Sequence, residues 1–416
     1  MLFPVGAILA GAWVLARPHA SRPLARQAYV WQRTWTEPVR DAIQEHQSSF
    51  SGLAVLGAEV SWRDKVPQAV RMPIDYTWLR SIKTPLSLVL RVGPYGGPFR
   101  ADDDAVAWLG QLVRDCVQDA RTQQVALAEL QIDYDCAEAK LDGYATWLGA
   151  LRRQAPGMPL AITALPSWLK QASFRRLIAE ADGYILQVHS LARPKGVDAP
   201  FKLCDPGAAR EAVTLAGRLG KPFRVALPTY GYRLAFDGQG RFAGLSAEGP
   251  ARDWPEDYQV REIHADASEM AALVREWTAR RPRAMQGLIW YRLPVAGDRL
   301  NWPWTTLAEV MQGQTPQTRF KVELRQPQPG LIETELLNTG GTVFGGPVRA
   351  VVRWQEARLL AADGLEGVTL EQPEARKLVL TTTEDFARLD PGAKRTLGWL
   401  RLDRPAKVTL ETEGRP

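Results

Sequence analysis

Between residues 29 and 293 one pattern recurs: a short apolar run, then a longer stretch whose apolar residues stand three and four apart. Eight runs have strand character, at residues 29–35, 53–62, 86–92, 127–135, 160–165, 184–190, 223–230 and 287–293. Helical periodicity falls between most of them, at 37–46, 103–121, 141–154, 173–181, 208–219 and 268–280, with a last stretch at 305–312. A parallel strand needs a long crossover to regain its sheet, so strand and amphipathic helix in alternation imply a parallel α/β fold. Eight units predict a (β/α)8 TIM-type barrel over residues 28–311. A doubly wound sheet is the competing architecture, but no glycine-rich phosphate loop follows the first run, so no nucleotide is expected.

The pattern stops at Gln312-Gly313-Gln314-Thr315-Pro316-Gln317, which reads as a linker over 312–318. Seven short alternating runs then follow, at 320–324, 331–337, 348–354, 368–371, 377–381, 395–402 and 406–410. They predict a small, immunoglobulin-like β-sandwich over 319–416, serving either to cover the barrel or to bind glycan. At the other end, residues 1–27 read as a signal peptide or an N-terminal anchor. Residues 2–15 are apolar, and Val14-Leu15-Ala16 suits a signal peptidase, although no basic residue precedes them. Export to the periplasm or cell envelope is the expectation, and with it an association with the envelope.

The chemistry concentrates in Leu130-Gln131-Ile132-Asp133-Tyr134-Asp135-Cys136, an apolar run that breaks into two carboxylates. Side chains alternate along a strand, so Gln131, Asp133 and Asp135 share one face. At the C-terminal end of a barrel strand, that face is where catalytic groups gather. Other runs also end in polar residues: Glu59, Arg91, Gln187, His189, Tyr230, and Trp290-Tyr291-Arg292. Crowded carboxylates at 59, 133 and 135 would hold at least one acid protonated near neutral pH, as a general acid requires, with Arg91 and Arg292 as counter-charges.

Fifteen tryptophans is a high count, and Trp31, Trp35, Trp62, Tyr95, Trp168, Tyr230, Tyr232, Trp290, Tyr291, Trp302 and Trp304 all fall at or just past strand ends. Aromatic rings stack on the C–H faces of sugars, so this placement points to a groove for a polysaccharide or oligosaccharide. The net charge of +6 comes from scattered basic residues and matches no nucleic-acid motif. Cys116, Cys136 and Cys204 lack zinc-site spacing, and four dispersed histidines form no cluster, so neither metal nor cofactor is expected. Cys136 and Cys204 either pair as a disulfide or remain thiols with Cys116.

Four of these runs resemble, in order, the strand signatures of the family 18 glycoside hydrolases, the chitinase-like barrels. Leu130-Gln131-Ile132-Asp133-Tyr134-Asp135 is similar to D-x-x-D-x-D-x-E, with Asp133 at its last Asp and Asp135 at its terminal Glu. Tyr184-Ile185-Leu186-Gln187-Val188-His189 sits where that family has a Met-x-Tyr-Asp segment. Val225-Ala226-Leu227-Pro228-Thr229-Tyr230-Gly231-Tyr232 resembles G-x-P-x-Y-G-R, and Gly287-Leu288-Ile289-Trp290 the run ending in a substrate-binding Trp. Asp135 replaces Glu, Gln131 replaces an acid, and His189 or Gln187 replaces the Tyr-Asp pair that orients an N-acetyl group. The chain is more similar still to a bacterial family of unknown function, number 3142, with a Q-x-D-x-D strand.

The resemblance implies a glycoside hydrolase-like enzyme in which Asp135 is the general acid and Asp133 tunes it. Glu59, with Asp237 behind it, is then the base or nucleophile, unless an amide-bearing sugar supplies its own nucleophile. Trp31, Arg91, Gln187, His189, Tyr230, Trp290 and Arg292 are the expected substrate contacts. The alternatives are a glycan-binding protein that kept the barrel without catalysis, and an envelope scaffold built on the sandwich.

Overall fold

The computed structural model describes residues 24–247, 254–365, 367–383 and 389–414. Its barrel strands, with one hairpin partner and one inserted sheet, run in chain order as β1 (Ala25–Val30), β2 (Gly52–Arg63), β3 (Val66–Arg71), β4 (Leu86–Val92), β5 (Leu127–Tyr134), β6 (Leu160–Ala164), β7 (Gly183–Gln187), β8 (Phe223–Pro228), β9 (Gly231–Phe236), β10 (Phe242–Ser246), β11 (Gln259–His264) and β12 (Met285–Tyr291). β1, β12, β8, β7, β6, β5, β4 and β2 pair parallel in that order, and β2 pairs back on β1, which closes the ring. The helices are α1 (Glu37–His46), a single turn α2 (Tyr76–Leu79), α3 (Asp104–Thr122), α4 (Leu141–Gln154), α5 (Ala172–Ala179), α6 (Pro206–Leu219), α7 (Ala267–Ala279) and α8 (Trp304–Met311). The chain is therefore a (β/α)8 barrel, as the alternation predicts.

Local chemistry places the helix starts. Asp103, Asp205 and Asp266 precede α3, α6 and α7, and each carboxylate accepts a backbone N–H that the first turn leaves unpaired. α6 also begins on Pro206 and ends on Gly220 at φ 73°, the left-handed conformation that glycine adopts without a Cβ clash. Asp133 and Asp135 cap no helix; α4 starts six residues beyond Asp135, after a 3-10 turn.

Strand parity divides the barrel into two layers. Tyr29, Trp31, Leu56, Val89, Ile185, Ala226 and Ile289 fill the interior. Their neighbours Val30, Val55, Leu88, Leu90, Ile132, Leu186, Leu227 and Trp290 face the helices in the larger outer core. Charge also lies inside the ring. Arg224 donates to Glu129 at 2.7 Å and to Gln27 Oε1 at 2.6 Å, Gln131 donates to Glu129 at 2.8 Å, and Tyr29 donates to Gln131 at 3.0 Å. Pairing with β12 makes Ala25–Gln27 part of β1, three residues before the barrel start expected at residue 28, because Arg26 and Gln27 hide the strand from an apolar criterion. The export segment itself lies, as far as residue 23, outside the described residues. No helix among the described residues is long and apolar enough to cross a membrane.

Two additions escape the sequence pattern. β3 folds back antiparallel on the outer half of β2, and β9, β10 and β11 form a separate antiparallel sheet between β8 and α7. β3, β10 and β11 are short and bury few side chains, whereas β9 buries Tyr232, Leu234, Ala235 and Phe236 but follows β8 after only two residues, so no separate run marks it.

Past α8 lie β13 (Phe320–Gln328), β14 (Leu331–Asn338), β15 (Val348–Trp354), β16 (Leu359–Gly364), β17 (Val368–Glu374), β18 (Lys377–Thr382), β19 (Lys394–Leu402) and β20 (Val408–Gly414). They form two antiparallel sheets, β13-β14-β19-β16 and β17-β18-β15-β20, around Phe344, Trp354, Leu380 and Leu400. The sandwich thus has one strand more than the alternation indicates, β16, which has no fully buried side chain to mark it. It joins the barrel through α8: Thr306 donates to the Gly341 carbonyl at 2.7 Å, the Gln317 amide donates to Glu309, and Arg319 pairs with Glu309. Cys116, Cys136 and Cys204 are buried free thiols, so the Cys136–Cys204 disulfide does not form.

Candidate functional site

A cavity of about 290 Å³ opens at the C-terminal ends of the barrel strands. Asp133 enters it from β5 almost fully buried, its Oδ1 accepting from Thr163 and its Oδ2 from Arg91, each at 2.8 Å. Burial raises the Asp133 pKa above the ordinary carboxylate value; Arg91 and Thr163 offset part of that, and Asp135 adds to it. Asp135, two residues on, shares that face but is half exposed, with its Oδ2 3.8 Å from Arg91 Nη2. Arg91 therefore reaches both acids. Its own pKa is raised, because the two carboxylates outweigh the burial that works against its charge.

The opposite wall is aromatic and neutral. Trp31 and Tyr291 meet edge to face at 5.0 Å, and Tyr29 packs edge-on against both. His189 lies between Tyr230 and Tyr291, with Nδ1 3.2 Å from the Tyr230 hydroxyl. That hydroxyl is 3.2 Å from the Tyr232 hydroxyl, which bonds in turn to Ser190 Oγ. Burial drives the His189 pKa down to about 3, so the ring is neutral at physiological pH. Gln187 lies beside it, donating Nε2 to the His189 carbonyl at 3.2 Å.

Of the residues that the sequence points to, Trp31, Arg91, Asp133, Asp135, Gln187, His189 and Tyr230 line this one cavity. Three do not. Glu59 is held outside it by Arg33, which donates Nε and Nη2 to the two carboxylate oxygens at 2.8 Å each. Trp290 has no exposed surface, because the inward positions on β12 are Ile289 and Tyr291 and Trp290 turns toward the helices. Arg292 is buried on Asp298 and donates to the Ala247 carbonyl. Asp237 is also remote in role: it closes the turn between β9 and β10 by accepting from Gln239 and Arg241.

Tyr29, Arg33 and Thr163 line the cavity without having been singled out. Parity could have found Tyr29, which sits two residues before Trp31 on the same face. The expected tryptophan groove reduces to Trp31 with Tyr29, Tyr230, Tyr232 and Tyr291. Elsewhere Trp62 packs against Tyr95 and Trp147, Trp35 edge-on against Trp78, and Trp168 against Phe174, while Trp304 stacks on His46.

The model of the family described as Domain of unknown function (DUF3142) matches residues 84–296, and that of Domain of unknown function (DUF8456) matches residues 321–403. No curated protein matches the chain. Among solved structures, the spore cortex-lytic enzyme SleL of Bacillus cereus is similar at 15% identity, covering 70% of this chain and 74% of that one, with a TM-score of 0.50. A chitinase from Chromobacterium violaceum covers 70% of this chain and 98% of its own at 14% identity and a TM-score of 0.48. The chitinase ChiB of Flavobacterium johnsoniae covers 70% and 94% at 12% identity and a TM-score of 0.45. At such identities the likeness is one of fold.

Proposed function

The chain belongs to the DUF3142 family, whose name carries no chemistry, and from that premise we propose that it is an exported carbohydrate-active protein that hydrolyses a glycosidic bond at the barrel mouth. Asp135 is the proton donor. The observation that carries this reading is the placement of a half-exposed carboxylate on the open side of a cavity whose other acid, Asp133, is buried and bound on both oxygens. Protonated Asp135 gives its proton to the glycosidic oxygen as the bond to the anomeric carbon breaks. Glu59 is occupied by Arg33, and among the described residues the cavity has no carboxylate besides Asp133 and Asp135. The sugar's own amide oxygen is then the nucleophile, and water later opens the cyclic intermediate. Gln187, His189 and Tyr230 line the same cavity and would orient that amide.

One observation favours a second reading, glycan binding without turnover: Arg91 stands close enough to Asp135 to stabilise its ionised form. Both readings place sugar in the cavity. Titration with short β-linked N-acetylglucosamine oligomers, followed by product analysis, tests them together. Release of shorter oligomers supports hydrolysis, saturable binding without products supports the second reading, and neither binding nor products for these or other neutral oligosaccharides overturns both.

A further inference from the structure

The net charge of +6 is scattered in the sequence but not in space. Each barrel helix returns the chain to the start of the next parallel strand, so the helix-to-strand turns gather at the end of the barrel opposite the cavity. Neighbouring turns touch there: Arg80 donates to Gln124 Oε1 at 3.2 Å, and the Lys83 amide to Gln47 Oε1 at 3.1 Å. Arg121, Arg153 and Arg218, in the last turns of α3, α4 and α6, are exposed on this face. So are Lys83, Arg280 and Arg283 in the turns themselves, with Lys221 half-buried beside them. None of these seven forms a salt bridge among the described residues. Arg71, Arg152 and Arg210 bind Asp119, Asp182 and Glu276, which leaves Glu45 and Glu180 as the acids of this face without an arginine or lysine.

A helix dipole stabilises a cation in the last turn, which accounts for Arg121, Arg153 and Arg218. The attraction fades beyond that turn, so Lys83, Lys221 and Arg283 gain little from it. The capping acids Asp103, Asp205 and Asp266 stand at the opposite end, which polarises the barrel along its axis. The basic end is also where β1 begins, with Ala25 paired to Gly287 near the start of β12. Residues 2–15 are the apolar stretch of the sequence, and the chain between that stretch and β1 can span no more than about 30 Å. An apolar stretch within that reach selects a lipid surface over a soluble anionic polymer. We propose that the basic end of the barrel docks on an anionic phospholipid bilayer and so turns the cavity away from the membrane. This does not depend on what the cavity binds.

Flotation of the full chain with vesicles tests this, because attachment through residues 2–15 alone would not depend on lipid charge. At about 0.1 M salt, phosphatidylcholine vesicles that contain phosphatidylglycerol should bind more tightly than pure phosphatidylcholine, and the difference should fade at about 0.5 M as salt screens the charges. Each base near an anionic surface contributes about fivefold. Lys83→Gln, Lys221→Gln, Arg280→Gln and Arg283→Gln together should therefore weaken binding at least ~100-fold. The same charge loss elsewhere, in Lys65→Gln, Arg193→Gln, Lys195→Gln and Lys407→Gln, should cost less than ~10-fold. Equal losses in the two variants, or indifference to phosphatidylglycerol, overturn the proposal. So does a higher affinity for heparin that the first variant loses, which would make the partner a soluble polymer. Hydrogen exchange of the wild-type chain on vesicles needs no variant and should slow at residues 80–85, 220–222 and 280–284. Protection confined to the loops around the cavity, or none at those three turns, overturns the docking face.

Discussion

Arg91 Nη1 lies 2.8 Å from Asp133 Oδ2, between residues that are register partners on the adjacent parallel strands β4 and β5. The ladder therefore imposes the pair, and Asp133 depends on it, since burial opposes its charge.

Arg91→Gln should lower stability at neutral pH by roughly 1–3 kcal/mol, less than the ~3–5 kcal/mol of a fully buried pair because Arg91 is partly solvated. The cost should shrink in acid, where Asp133 takes up a proton and no longer needs a cation. Urea melts at pH 4 and pH 7.5 check this, and an equal loss at both would contradict the assigned dependence.

Below the cavity, Arg224 and Glu129 form an ion pair inside the barrel, with side chains only 13% and 20% exposed. Arg224→Met alone strands Glu129 and should cost several kcal/mol, on the order of 3–5. Joining it with Glu129→Gln should recover part of that loss, because the orphaned charge is gone. Chemical denaturation of the three proteins gives the coupling directly.

The barrel was legible because burial on both faces of a parallel strand forces apolar runs, and the runs at 86–92 and 127–135 coincide with β4 and β5 to within a residue. Asp133 and Asp135 were legible for the same reason: an acid in such a run has to be tied to something. What parity could not supply was the register of β12, where Trp290 looked outstanding by residue type while Tyr291 faces inward. The Glu59–Arg33 pair depends on a loop conformation that no periodicity encodes. β10 and β11 were missed because they bury few side chains, and β9 because only two residues separate it from the end of β8.

Trp290 and Trp31 should separate cleanly. Trp290→Ala removes a fully buried ring from the outer core and should cost about 3–5 kcal/mol of stability. Trp31→Phe keeps most of the packing but changes the cavity wall, so it should weaken sugar binding with a smaller change in melting temperature. Calorimetry on both variants settles which indole belongs to the ligand.

His189 adds a pH dependence of its own. Its pKa falls from 6.5 to about 3 on folding, so between those values the unfolded chain binds a proton that the folded one does not. Stability from this group is therefore complete above pH 6.5 and is lost progressively as pH falls toward 3. The full effect is a few kcal/mol, at ~1.4 kcal/mol per unit. His189→Gln should flatten the stability profile between pH 6.5 and 4, measured by urea midpoint; an unchanged slope would mean that the ring is not neutral in the folded protein.

Asp135 decides between hydrolysis and binding. Asp135→Asn preserves shape and hydrogen-bonding capacity but removes the transferable proton, so a hydrolase should lose about 10²–10⁴-fold in kcat. Affinity for the intact oligosaccharide should change far less, because the missing interaction develops mainly in the transition state. Stability should hold as well: Asp135 is half exposed, and Arg91 keeps its closer bond to Asp133. The informative experiment measures product release, binding and melting temperature on one preparation. Loss of turnover with binding and folding intact supports Asp135 as the acid. Wild-type turnover in the variant would remove Asp135 from the chemistry, and Asp133, the only other carboxylate lining the cavity among the described residues, would have to be tested in its place.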